Sequence, residues 1–253
     1  MFSRSFAVLV TVATLLSGCA GQTSPSVGLV AFETVTTKEM VTPRGKTIDR
    51  AYSMGSGAQW NADYVVTARH VLLDASQGRA EFECNTGCDL KFVKRAATSG
   101  IPSWRERTRG ESLAAVGYTI KPDATDPGRV TRRKVVANGF DADIATRTTV
   151  DGNNWLMLAR MDTVNGMSGG PLYGADGNIV GILTGSTMLK RESGFYYDAD
   201  GNQVAPAPQS ADAVTEGKLL AYAVYIPYSM IHEQWQRFAS SSPSTLTASV
   251  ERN

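Results

Sequence analysis

The hexapeptide Gly166-Met167-Ser168-Gly169-Gly170-Pro171 surrounds one serine with three glycines. Glycine adopts backbone conformations that a side chain forbids, so N–H groups around Ser168 are free to converge on one point. A serine nucleophile needs such convergence. The oxyanion formed on attack at a carbonyl must meet donors at hydrogen-bond distance, each contributing about 3–4 kcal/mol. The hydroxyl is itself a weak nucleophile at neutral pH, and an imidazole must take its proton. Two histidines are available. His70 closes the apolar run Tyr64-Val65-Val66-Thr67-Ala68-Arg69-His70-Val71, far upstream of the serine. His232 stands beside Glu233 in a segment of helical periodicity and reads as a helix-face residue. The competing readings are bland: an ordinary glycine-rich turn and a core histidine.

These groups need a scaffold of strands. Val27–Val35, Ile48–Trp60, Tyr64–Val71, Glu81–Cys84 and Leu90–Lys94 are rich in β-branched and aromatic residues and are separated by polar turns. Ile101–Gly110 is polar and charged, contains Pro102, and reads as a connection between two halves. Ser112–Ile120, Val130–Phe140, Asn154–Met161, Asn178–Gly185 and Leu219–Ile226 repeat the strand pattern. Residues 190–217 read as a long, mobile surface loop with a turn at Asp198–Asn202. Pro227 opens a helix ending near Ala239, whose Met230, Ile231, Gln234, Trp235 and Phe238 share one face. Short strands and glycine-rich turns make the chain all-β, a barrel or sandwich.

Met54-Gly55-Ser56-Gly57-Ala58, the His70 run and Gly166–Leu172 together resemble the trypsin-like (chymotrypsin-fold) serine proteases, bacterial members more than digestive ones. The likeness spans residues 27–239. It implies two six-stranded antiparallel β-barrels with an active site in the cleft between them. It implies His70 as general base, Ser168 as nucleophile, and the N–H groups of Gly166 and Ser168 as the oxyanion hole. Asp89 is the expected third member, because Cys88-Asp89-Leu90-Lys91-Phe92-Val93-Lys94 resembles the family's aspartate and the apolar strand after it. Asp141, Asp143 and Asp151 are its rivals but fall where the second barrel should be, and Asp74 is too close to His70 along the chain. Asp162, just upstream of Ser168, matches the acid that selects cationic side chains in some members; the alternative is a solvated loop aspartate. Thr184-Gly185-Ser186 corresponds to the strand that pairs with substrate main chain. Met167 departs from the family, which in its digestive members carries there an aspartate that pairs with a freed N-terminal amine. That implies no zymogen activation of this kind.

The ends carry addresses. Arg4 followed by the apolar stretch Phe6–Leu16 is too short for a spanning helix of about 20 residues and reads as a signal peptide. Leu16-Ser17-Gly18-Cys19 resembles the lipobox of bacterial lipoproteins, which implies acylation of Cys19 and a lipid anchor in the cell envelope. By resemblance to Gram-negative lipoproteins, Ala20 in place of an aspartate implies sorting to the outer membrane. The expected plan is 1–18 signal peptide, 19–26 lipidated tether, 27–103 first barrel, 104–239 second barrel and helix, and 240–253 a disordered tail. An oxidising compartment favours a Cys84–Cys88 disulfide. Neither spacing nor a histidine partner suggests zinc, and Asp198–Asn202 fits a hairpin turn better than a calcium loop. No metal or cofactor is expected, and a monomer acting on protein or peptide is. With 25 Lys and Arg against 24 Asp and Glu, the chain has no electrostatic footprint for nucleic acid.

Overall fold

The computed structural model describes residues 26–42, 45–84, 88–123, 130–147, 155–206 and 217–241. Among the described residues, thirteen strands and one C-terminal α-helix form two β-units. The first unit holds β1 (Leu29–Thr42), β2 (Gly45–Gln59), β3 (Tyr64–Ala68), β4 (Arg79–Glu83) and β5 (Leu90–Lys94), in the order β1-β2-β3-β5-β4. β1 and β2 form one long hairpin in register from Leu29↔Ala58 to Thr42↔Gly45. The family likeness implied six strands here, and the sheet has five among the described residues. The polar, Pro-containing connection 101–110 supplies only an isolated bridge, Trp104↔Ile179.

The second unit holds β6 (Ser112–Pro122), β7 (Val130–Arg147), β8 (Trp155–Arg160), β9 (Pro171–Tyr173), β10 (Ile179–Glu192), β11 (Phe195–Tyr197), β12 (Gln203–Pro206) and β13 (Leu219–Pro227). Six of them, β10-β13-β8-β7-β6-β9, close into a barrel because β9 pairs with both β6 and β10. Residues 190–206, expected within a loop, instead finish β10 and add β11 and β12 to the sheet. Asp198 makes the β11–β12 turn by accepting the Asp200 and Asn202 backbone N–H groups at 3.0 and 2.8 Å.

α1 (Tyr228–Ser241) begins where Pro227 ends β13. It buries Ile231, Gln234 and Phe238, the face its periodicity predicts. That face packs on the first unit: Trp235 lies 5.0 Å from the Phe92 ring and Phe238 5.6 Å from Tyr64. The shared cluster joins Leu90 and Phe92 of β5 to Ile179, Ile182 and Ile226 of the second unit. Side chains of this size each contribute roughly 1.5–3 kcal/mol on burial, so this seam holds the two units in one relation. Phe32, Val65, Ala68, Val71 and Val93 fill the first unit's own interior.

Candidate active site

The antiparallel register of β3 and β5 brings the predicted base and acid together. Ala68 pairs with Leu90, and one step further the Arg69 N–H donates to Asp89 O at 2.9 Å. His70 therefore emerges from the end of β3 just as Asp89 enters β5. Asp89 has φ +45°, a left-handed conformation that aspartate tolerates better than most residues. Its carboxylate accepts the His70 backbone N–H at 3.1 Å and the ring Nδ1–H at 2.8 Å. The Cys84–Cys88 disulfide sits immediately before it, both residues buried, with the Cys84 N–H donated to Leu90 O at 2.9 Å.

A third donor to Asp89 comes from the second unit. The β10–β13 pairing shifts between Leu183 and Gly185, so Thr184 is left out of the ladder. Its hydroxyl donates to Asp89 Oδ2, the oxygen that holds Nδ1. The Thr184 carbonyl in turn accepts the Ser168 hydroxyl at 3.4 Å. One residue thus touches both the carboxylate behind the imidazole and the serine. Gly185 is half-buried and Ser186 exposed along the same strand.

Ser168 rides a tight turn. The Met167 N–H donates to Val164 O at 3.2 Å, and that of Gly170 to Met167 O at 2.9 Å. Gly166 and Gly169 have φ of +96° and +81°. A Cβ on Gly166 would meet Tyr118 O at 2.4 Å, so the position requires glycine on two counts. Among the described residues, the N–H groups of Gly166 and Ser168 are donated to no acceptor of the protein. They remain available to an oxygen placed beside the Ser168 hydroxyl.

Ser56, quoted above only as part of a motif, proves central to this turn. Its N–H donates to Ser168 O at 2.8 Å and its hydroxyl to Gly166 O at 2.9 Å, while Oγ accepts the Tyr118 N–H at 2.8 Å. The Thr67 hydroxyl donates to Ser56 O at 2.6 Å. A small polar residue between glycines in a strand is the signal that marks it. Lys91, on β5 and 5% exposed, is a second residue the motifs do not single out.

The rival groups are engaged elsewhere. Asp141 is buried and accepts from Arg107 and from the Tyr225 hydroxyl at 2.8 Å. Asp143 pairs with Arg107 and Arg109. Asp74 caps the short 3₁₀ turn Ala75–Gln77. His232 bonds Gln236 at 2.9 Å and stacks near Tyr228 on α1. Asp151 lies outside the described residues, as do the signal segment, Cys19 and residues 242–253. Asp162 is exposed between β8 and the Ser168 turn and makes no ion pair among the described residues. Met167 is buried in the second barrel's interior. No group of three or more His, Cys, Asp or Glu among the described residues is disposed to hold a metal.

The hydrogen bond to Asp89 raises the His70 pKa above its ordinary value, outweighing partial burial and the nearby Lys91 charge. Burial pushes the Asp89 carboxyl up, but hydrogen bonds from His70 and Thr184 more than offset this and hold it below the usual carboxylate value. Two groups pushed apart in this way form a protonatable base and a permanent anion.

Residues 55–182 match the family model of the trypsin-like peptidase domain, a stretch that contains His70, Asp89 and Ser168. The chain belongs to the trypsin-like peptidases. The HtrA-type protease AlgW, solved with a decapeptide, superposes with a TM-score of 0.51 at 17% identity, covering 86% of this chain and 65% of that one. A variant of AlgW, also with a decapeptide, gives 0.50 at the same identity and coverage. At this identity the likeness is one of fold, and the chain spans less than two thirds of the length of those structures. No curated protein sequence matches the chain.

Proposed function

We propose that this trypsin-like peptidase is a serine endopeptidase of the bacterial cell envelope, working through Ser168, His70 and Asp89. The carrying observation is the 2.8 Å bond from His70 Nδ1 to Asp89 Oδ2, an oxygen that also accepts the Thr184 hydroxyl while Thr184 O holds Ser168. With Nδ1 keeping its proton and donating it in the hydrogen bond to Asp89, the lone pair of a neutral ring lies on Nε2. Nε2 takes the Ser168 proton as Oγ attacks the scissile carbonyl, then gives it to the leaving amine. Water deprotonated by the same nitrogen releases the acyl group. The Gly166 and Ser168 N–H groups meet the oxyanion. The Ser168 hydroxyl rests on Thr184 O, and catalytic hydrogen bonds commonly tighten only when substrate is seated.

The substrate is an extended peptide. β10 pairs with β9 through Ile182 and with β11 from Lys190, which leaves the edge of Gly185 and Ser186 opposite β13 unpaired among the described strands. A peptide main chain adds there as a further strand. Asp162 is exposed beside the nucleophile turn, as the solvated-loop alternative has it, so selection of a cationic side chain is not part of this reading. Acylation at Cys19 holds a monomeric enzyme to the outer membrane, and the buried Met167 dispenses with an activating amine. Palmitate incorporation that persists in Cys19→Ser would remove the anchor from this reading.

A fluorophosphonate applied to the full chain is the direct test. It is expected to label the wild type irreversibly and to leave Ser168→Ala untouched. Folded wild-type protein that takes no label would refute the endopeptidase reading.

A further inference from the structure

Lys91 poses a physical puzzle. It lies on β5 two residues after Asp89, on the face that carries Val93 into the first unit's interior. It is 5% exposed. Burying an ammonium is costly unless it is paired, and an apolar side chain of similar volume commonly gives equal or better stability. Lys91 makes no ion pair among the described residues. Its Nζ instead donates to Arg69 O at 3.1 Å and to Val71 O at 2.5 Å. Those are the carbonyls on either side of His70. The next backbone contact of that turn, Val71 N–H to Ala68 O at 3.1 Å, closes it onto β3.

We propose that Lys91 is a positioning residue for the imidazole, its ammonium donating to the carbonyls on either side of His70 and so holding the Arg69–Val71 turn. The inference rests on His70 serving as the base. The short β5 segment from Asp89 to Lys91 then holds the histidine at two levels: the carboxylate fixes the ring, and the ammonium fixes the backbone that carries it. An apolar side chain would do neither, because the carbonyl pair needs donors and the charge that opposes the imidazolium would be lost. The charged groups around the ring are few. Asp89 favours the imidazolium and Lys91 opposes it. Lys91 itself faces Glu83 of β4, Asp89, and Arg69, which in turn pairs with Glu83 at 3.7 Å. Burial lowers the lysine's own pKa, so its charge is most secure at neutral pH and below, where His70 titrates.

The experiment compares full-length wild type, Lys91→Met and Lys91→Arg. One readout is the imidazole titration of His70, followed by NMR with His232 as an internal control. The other is peptide hydrolysis, with kcat and KM separated. In Lys91→Met the His70 midpoint moves to higher pH, and kcat falls between about tenfold and a hundredfold with KM little changed, as expected for a misplaced base. Lys91→Arg, which keeps charge and donors, restores both. An unmoved His70 midpoint in Lys91→Met, or an unchanged kcat, overturns the proposal. Should Lys91→Met not fold, Lys91→Gln decides through the His70 midpoint, since it keeps N–H donors and loses the charge. A wild type that takes no fluorophosphonate, with the His70 midpoint still moved in Lys91→Met, would sink the endopeptidase reading and leave the lysine's electrostatic role standing.

Discussion

Replacing Asp89 by asparagine tests the proposed mechanism at its most determinate point. The carboxylate receives three donors: the His70 N–H on Oδ1, and Nδ1–H and the Thr184 hydroxyl on Oδ2. Asparagine must place its NH2 at one of these positions. At Oδ1 it faces a backbone donor that cannot turn away. At Oδ2 it donates to both Nδ1 and Thr184 Oγ1, whose proton is free to rotate elsewhere. The second arrangement satisfies every group, so the structure selects it, and it forces the imidazole proton onto Nε2. That tautomer has no lone pair for the Ser168 proton. In the serine-protease template the corresponding change lowers kcat by about 10⁴ with geometry intact. The same loss here is about 5.4 kcal/mol of transition-state stabilisation. Hydrolysis of a fluorogenic peptide by the full chain, with circular dichroism to show an unchanged fold, makes the measurement. Activity within tenfold of wild type in a folded Asp89→Asn protein would refute the assignment of Asp89.

The pH profile follows from the direction of the His70 shift. A base must be neutral, and its pKa is raised, so kcat/KM should fall on acidification with a midpoint above the ordinary 6.5 of imidazole. The raised pKa also contributes stability that is full below that value and lost as pH rises through the folded midpoint. Activity and this share of stability therefore run in opposite senses across that window; a midpoint at or below about pH 6 contradicts the Asp89–His70 bond. Glycine substitutions separate two causes of strain. Gly177 and Gly169 share φ +81°, but a Cβ at Gly177 meets nothing within 4 Å, whereas at Gly169 it lies 2.1 Å from Ser56 O and Thr67 Oγ1. Urea unfolding should show Gly177→Ala costing about 1–2 kcal/mol and Gly169→Ala at least about 3 kcal/mol. Equal costs would mean that the Ser56–Thr67 contact does not hold the nucleophile turn.

Local pattern revealed strands wherever they were long enough to show a period. Leu90–Lys94 has the bounds the apolar run predicts, and five strands of the first half were visible as five. The sixth came from the family likeness alone; among the described residues, the charged connection at 101–110 supplies only the bridge at Trp104. In the second half the barrel closes through β9, whose three residues are too few to show any period. β11 and β12 are likewise short; β11 pairs with β10, and β12 pairs with β11 across a turn set by Asp198 rather than through apolar alternation. Around the site, residue type pointed to Ser168 and His70 because nucleophile chemistry is demanding. Ser56, Thr67 and Lys91 act by where their donors point, which is fixed by long-range register and leaves little trace in spacing.

The distribution of those groups between the two units has a consequence for how the site assembles. His70, Asp89 and Lys91 depend on the β3–β5 register, and so form with the first unit. The Ser168 turn and the displaced Thr184 belong to the second. Only four contacts described above cross between them at the site: Ser56 N–H to Ser168 O, Ser56 Oγ to Gly166 O, Tyr118 N–H to Ser56 Oγ, and Thr184 Oγ1 to Asp89. Each is a directional bond between buried or half-buried groups, so a small shear between the units leaves several polar atoms unpaired at once, at about 1–3 kcal/mol apiece. The apolar seam from Leu90 and Phe92 to Ile182, Ile226 and α1 resists such shear but has no directional preference. Burial therefore sets the distance between the units, and these polar bonds set the register at which a proposed base on one unit faces a proposed nucleophile on the other.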